Sequence, residues 1–302
     1  MSLPALVHVG FHKTGTTWLQ KNIFVRENGF LPITSHNEVF EMLVKPNLTF
    51  KVATAKDILM ARTSEARDGT VPLISSEILS GNPFFGGREK AIYAHRLSKC
   101  LESPKILITI RSQFSMMRSI YMQYISRAGT KRPENFFSES AEVGYFEFDS
   151  EHLEYDKFLQ LYWDLFGPDR VLVLTQECLL HNQVEALSKL SKFCGINRRL
   201  IPKSDAPGLQ DAPEYSTPFL IRINYFRTWP VNREPIFDLG PFARGFYRGT
   251  VSALRSKAAR SVFKGTKPVS NIIASKFAGR YTDSNKRLAA MTQGQLDLSQ
   301  YP

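Results

Sequence analysis

At 302 residues, 43% of them hydrophobic, the chain holds enough apolar material for a sizeable core and reads as one large domain, 1–302. Three cysteines, Cys100, Cys178 and Cys194, are too few and too scattered for a disulfide framework or a zinc site, and as free thiols they suit a reducing compartment. The net charge of +11 is uneven: Arg222–Arg287 holds 14 Lys and Arg against 3 Asp and Glu while the remainder is balanced, so an anionic partner is expected there.

Ala5–Gly10 is a short apolar run ending in glycine, followed by a polar turn and a helix predicted over Thr17–Arg26. Because that run leads straight into a glycine loop, it does not read as a signal peptide. No apolar run approaches the ~20 residues of a helical membrane span. A cytoplasmic protein, at most peripheral at the inner membrane face, is the expectation. Val71–Ser75 predicts a second buried strand and Arg88–Leu101 a helix. Lys105–Ile110 (KILITI) is β-branched and bounded by Pro104 and Arg111, the clearest strand in the chain.

Phe114–Arg127 predicts a helix, and Gly129–Ser150, polar and aromatic without a period, reads as a loop or lid. Glu151–Phe166 predicts another helix, Arg170–Leu174 a fourth strand, and Val184–Cys194 a helix ended by Gly195. The proline-rich stretch Pro202–Pro241 reads as an irregular connection. Gly240–Lys264 predicts a basic amphipathic helix with Phe242, Phe246, Leu254 and Val262 among its apolar positions. Short buried strands alternating with helices predict an α/β fold. Its parallel sheet is covered by helices on both faces in three layers, with ligands at the carboxyl ends of the strands.

Gly10–Thr17 (GFHKTGTT) follows a strand and opens a helix. Glycines let backbone approach an anion, and amides at a helix start stabilise its charge. An ATP-type loop, GxxxxGK[ST], carries its lysine directly after the second glycine. Here Gly10 and Gly15 keep that spacing, Thr16 takes the lysine's place, and the lysine stands at Lys13.

This loop resembles the 5′-phosphosulfate loop of sulfotransferases that use 3′-phosphoadenosine-5′-phosphosulfate (PAPS), a family with a P-loop-containing fold. The KILITI strand, Arg111 at its end and Ser119 eight residues later resemble the family's 3′-phosphate site. Tyr281–Leu288 (YTDSNKRL) with Leu296–Leu298 (LDL) is similar to the C-terminal signature of the bacterial and carbohydrate enzymes. Thr175–Glu177 through Phe193–Gly195 looks like the family's next strand–helix segment, and Lys264–Thr266 (KGT) like a variant of a late cofactor loop.

The resemblance implies transfer of a sulfuryl group from PAPS to a hydroxyl or amine, leaving adenosine 3′,5′-bisphosphate. His12, Lys13, Thr14, Gly15, Thr16, Thr17, Arg111 and Ser119 would hold the cofactor, with Lys13 as electrostatic catalyst. Glu77, in Ser75–Glu77 (SSE), stands where glycan enzymes place a catalytic glutamate. The competing readings are that Glu77 caps the following turn, or that His12 is the base. The scheme requires no metal. The expected acceptor is a carbohydrate or glycolipid, with lipid and small-molecule hydroxyls open.

For the basic third, three readings stand: helical packing with a solvated face, an anionic glycan groove or peripheral membrane contact, and nucleic-acid binding. No recognisable nucleic-acid module accompanies it, so that reading ranks last. Two rival functions remain at this level. An ATP-dependent P-loop kinase is opposed by the position of Lys13. A non-catalytic nucleic-acid- or membrane-binding protein leaves both phosphate motifs idle.

Overall fold

Five strands, β1 (Leu6–Gly10), β2 (Phe30–Pro32), β3 (Val71–Ser75), β4 (Lys105–Ile110) and β5 (Val171–Thr175), form one parallel sheet in the order β2-β3-β1-β4-β5. The computed structural model describes residues 4–67, 69–138, 148–204, 212–228, 235–236 and 240–302. The chain divides into two compact units. The first joins Met1–Ser112, Ser150–Pro207 and Thr282–Tyr301; the second joins Gln113–Asp149 and Gly208–Tyr281.

The first unit contains the whole sheet. Strand residues alternate between its two faces, and both faces are apolar because helices cover both. On one face Leu6, Val71, Leu73, Leu107 and Leu174 pack with Trp18 and Leu19 of the helix Thr16–Asn22 and with Leu187 and Leu190 of the helix Gln183–Cys194. On the other, Phe11 at the end of β1 packs edge-on against Tyr155 and Phe158 of the helix Tyr155–Phe166, both at 4.9 Å. Gly195, left-handed at φ 76°, ends the helix Gln183–Cys194 where the sequence places its stop. The C-terminal signature also finds its place here. In the helix Thr282–Met291, Ser284 Oγ donates to Asp156 Oδ1, and Arg287 Nε donates to Asp156 Oδ2 at 2.6 Å.

β2 escapes sequence reading because Phe30–Pro32 is too short to show a period; pairing with β3 alone makes it a strand. The predicted strand and helix bounds otherwise shift by a few residues at their ends.

In the second unit, the helix Gln113–Ser126 presents Tyr121 and Tyr124 to Phe136, at 5.2 and 4.9 Å between rings. Phe137 and Phe148 both reach Phe277, at 6.0 and 6.2 Å. The described ends of the expected lid, Gly129–Ser150, are therefore anchored in an aromatic cluster; 139–147 lie outside the described residues. The irregular connection expected over Pro202–Pro241 instead contains the helix Thr217–Asn224. Pro218 is compatible with it because the first helical turn needs no amide donor there. The single helix expected over Gly240–Lys264 is two, Gly240–Leu254 and Lys257–Val262. Ser256 breaks it by capping the second, its Oγ accepting from the Ala259 amide at 3.2 Å. Among the described residues, no helix is long and apolar enough to cross a membrane.

Candidate functional site

Register sets the level of the site. His8 of β1 pairs with Ser75 of β3, and Gly10 with Thr109 of β4. The segments that follow, Phe11–Thr17, Ser76–Glu77 and Arg111–Ser112, leave three adjacent strands at their shared carboxyl end. Parallel sheets collect ligands there.

Beneath the loop runs a buried polar chain. Thr14 Oγ1 donates to the Phe11 carbonyl at 2.6 Å, which uses its one proton, so it accepts from Thr109 Oγ1 at 2.8 Å. Thr109 Oγ1 in turn accepts from His8 Nε2–H at 3.0 Å. His8 Nδ1 then accepts from Ser75 Oγ at 2.8 Å, and Ser75 Oγ accepts from Gln20 Nε2 at 3.2 Å. Burial keeps His8 neutral, pushing its pKa down to about 3; with the proton on Nε2, Nδ1 can only accept, and every hydroxyl proton in the chain then has one direction. The network also presses on Gly10. A Cβ there would lie 2.5 Å from Thr16 Oγ1, 2.8 Å from Thr109 Oγ1 and 2.9 Å from His8 Nε2, so only glycine fits.

Above this floor the loop turns sharply. Lys13 is left-handed at φ 65°, a conformation that costs a non-glycine residue energy, and Gly15 follows at φ 93°. Gly15 precedes the helix Thr16–Asn22, its carbonyl accepting from the Leu19 amide at 3.0 Å. Thr14 and Thr16 are buried, His12, Lys13 and Gly15 half-buried, and Thr17 exposed. Among the described residues Thr16 Oγ1 is a buried hydroxyl with no hydrogen-bond partner. A Cβ on Gly15 would meet nothing within 4 Å, so the loop is open on that side. A buried orphan donor beside an open, glycine-lined turn fits a phosphate or sulfate oxygen.

Arg111 closes the site from β4. It is 5% exposed, and its guanidinium donates to the Lys13 carbonyl at 3.4 Å. The strand end beneath it is braced on every side. Tyr155 Oη donates to the Arg111 carbonyl at 2.7 Å, and Glu177 Oε1 accepts from the Ser112 amide at 3.0 Å. Ser112 Oγ donates to the Gln300 carbonyl at 2.8 Å, and Tyr301 Oη to Glu177 Oε2 at 3.3 Å. Burial, reinforced by the nearby Glu177 charge, pushes both phenols up, so they stay neutral donors.

Glu77 opens a short 3-10 helix, Glu77–Ser80, and is half-buried. The Ser76 amide donates to the His8 carbonyl at 3.2 Å, tying this segment to β1. Ser80 Oγ donates to the Glu77 backbone carbonyl at 2.8 Å. The turn is thus held by the Glu77 backbone; among the described residues the carboxylate makes no hydrogen bond or ion pair. Near the loop, His152 is buried against the Phe11 ring at 5.1 Å. Burial, then the Lys90 and His12 charges, hold its pKa well below the usual histidine range.

The first unit therefore brings together His12, Lys13, Thr14, Gly15, Thr16, Thr17, Glu77 and Arg111. Ser119 belongs to the second unit, fully buried in the helix Gln113–Ser126. Lys264 is exposed there, followed by Gly265 at φ 79°. Sequence reading missed His8, Gln20, Ser75 and Thr109. The one available signal was a histidine inside an otherwise apolar strand, LVHVG.

No protein-family model and no curated protein matches the sequence. Among solved structures, the chain is similar to a sulfotransferase from Alicyclobacillus acidocaldarius, with a TM-score of 0.51 and 16% identity over 90% of this chain and 100% of that one. It also matches the sulfotransferase domain from the curacin biosynthetic pathway at 14% identity over 92% of this chain and 99% of that one. With a TM-score of 0.37, that second likeness is too loose to carry the fold. The first shows a sulfotransferase-like α/β fold, with its parallel sheet flanked by helices.

Proposed function

We propose that this chain is a sulfotransferase that moves a sulfuryl group from PAPS to a hydroxyl or amine of an acceptor, with a carbohydrate or glycolipid as the acceptor class. The observation that carries this reading is the Arg111 guanidinium set against the Lys13 carbonyl at 3.4 Å. It joins the end of β4 to a loop whose lysine precedes its second glycine, the two features a doubly phosphorylated adenosine needs. The likeness in fold to a known sulfotransferase supports the same reading.

PAPS supplies a sulfuryl group already attached to a phosphate leaving group. In this reading the amides from Gly15 to Thr17, with the Thr16 hydroxyl, would hold the 5′-phosphate, and His12 shapes the loop. Lys13, whose backbone is left-handed at the turn of the loop, would stabilise charge developing on the leaving phosphate. Arg111 would offer a planar fork to the 3′-phosphate, and Ser119 is proposed for that phosphate on its spacing from Arg111 in the sequence alone. Glu77, its carboxylate uncommitted at the end of β3, takes the acceptor's proton. Thr14 serves indirectly, as the link between the loop and the buried chain below it.

Titration calorimetry with adenosine 3′,5′-bisphosphate in chelator tests the proposal. Binding without a divalent metal is expected. Failure to bind the bisphosphate, together with magnesium-dependent binding of ATP, would replace this reading with a kinase. A screen of saccharide, glycolipid and small-molecule acceptors with labelled PAPS then identifies the acceptor.

A further inference from the structure

Between Gly240 and Tyr281 the chain carries nine Lys and Arg and not one Asp or Glu. In the same stretch the helix Gly240–Leu254 holds large apolar side chains out in solvent: Phe242 is 86% and Phe246 68% exposed. Four residues apart, they share one face of the helix. The adjoining flank is fixed in the second unit, where Ala243 is buried and the Tyr247 ring lies under the Arg227 guanidinium at 3.9 Å. The phenylalanines are therefore presented outward by a helix that is itself anchored.

Beside them lies a groove of about 1020 Å³ between this helix and Thr217–Asn224, lined by Ile223, Phe226, Phe242, Phe246 and Ala253. Gly245 and Gly249 keep it open, since a Cβ on either would meet nothing within 4 Å. Arg222 and Thr250 are the polar side chains in its wall. On the far side of the same helix from Phe242 and Phe246, Arg244, Arg248 and, just past its last turn, Arg255 are exposed, as are Lys257 and Arg260 of the helix Lys257–Val262.

A solvated basic face explains the arginines but leaves two phenylalanines in water without cause. A second copy docking through this same surface would bring two basic helices together with no acid in the stretch to offset them. Nucleic-acid stacking pairs aromatic rings with polar groups that reach phosphates and bases, whereas Arg222 and Thr250 are the polar side chains this groove offers. An anionic lipid surface satisfies both features together: acyl chains below the headgroups take the phenylalanines, and the headgroup charge takes the arginines. We propose that the helix Gly240–Leu254 docks this protein onto anionic membrane, with Phe242 and Phe246 entering the acyl boundary and Arg244, Arg248 and Arg255 at the headgroups. This inference is independent of the proposed transfer chemistry.

Co-sedimentation of the full chain with phosphatidylcholine vesicles, with and without phosphatidylglycerol, tests it. Binding to the anionic vesicles alone is expected. The double substitution Phe242→Ser with Phe246→Ser should lower partitioning about tenfold or more, with circular dichroism and bisphosphate binding unchanged. Arg244→Gln with Arg248→Gln should lower it by at least about tenfold at low salt. Absence of binding to anionic vesicles overturns the proposal. So does unchanged binding by the phenylalanine variant, which reduces the effect to bulk charge. Sedimentation velocity showing a dimer that the phenylalanine variant dissolves, or tighter binding to a single-stranded oligonucleotide than to vesicles, also overturns it.

Discussion

The Gly10–Thr17 loop and the Gly240–Leu254 helix both gather positive potential, by opposite means. The loop carries a single lysine and relies on fixed dipoles, a buried hydroxyl and a bonded arginine. Its donors are positioned before any anion arrives, because a chain of hydrogen bonds from Gln20 to Phe11 holds the floor in one arrangement. The basic helix has no such floor. Its charges are exposed side chains on flexible stems, screened by salt and indifferent to the shape of the anion. Fixed donors select one ligand and can act on its reaction; mobile charges attract a surface. The chemistry proposed for the first unit fits that contrast.

The largest effects should therefore follow damage to the loop's surroundings. Glu77→Gln keeps the size of the side chain and removes its basicity, so turnover should fall by about 100- to 10,000-fold. Bisphosphate affinity should stay within a few-fold of the unmodified chain. Near-normal turnover in a labelled-sulfate assay would take Glu77 out of the mechanism and return His12 to consideration.

Next in size is Lys13→Ala. Removing a donor that acts on developing charge should lower kcat by about 100- to 1,000-fold, a larger effect than on KM. If KM alone rises, Lys13 is a binding residue and the loop resembles the basic helix more than the contrast allows. Arg111→Ala should weaken adenosine 3′,5′-bisphosphate about 10- to 100-fold by calorimetry, and Arg111→Lys should restore little, since an ammonium lacks the planar fork.

The loop and Arg111 are legible in sequence because each lies next to a strand of strong apolar pattern, and β1, β3, β4 and β5 all show such runs. What holds them in place is not legible. The partners of His8 are 67 and 101 residues away in sequence, and only sheet pairing brings them within reach. The helix Thr217–Asn224 is hidden for a local reason, as prolines on both sides mask a sound helical run. The spacing of Ser119 from Arg111 is plain in the sequence, and the two residues belong to different compact units.

The smallest effect is the sharpest test of the loop's fixed floor. His8 is depressed from 6.5 to about 3 by burial, so in mild acid the unfolded chain takes up a proton that the folded chain refuses. Its contribution is fully present above the unfolded value and is lost as pH falls from about 6.5 toward about 3. Other groups titrate in this window too, His152 in the same direction, so the informative quantity is the difference from a variant lacking the His8 titration. His8→Gln retains a donor and an acceptor for Thr109 and Ser75 and does not titrate. Between about pH 7.5 and about pH 5.5, urea unfolding should show the unmodified chain losing about 1.4 kcal/mol more than the variant. Parallel losses would mean that His8 is protonated in the folded state. The one-directional chain beneath Thr14 would then be broken, and with it the preorganisation that separates this loop from the basic helix.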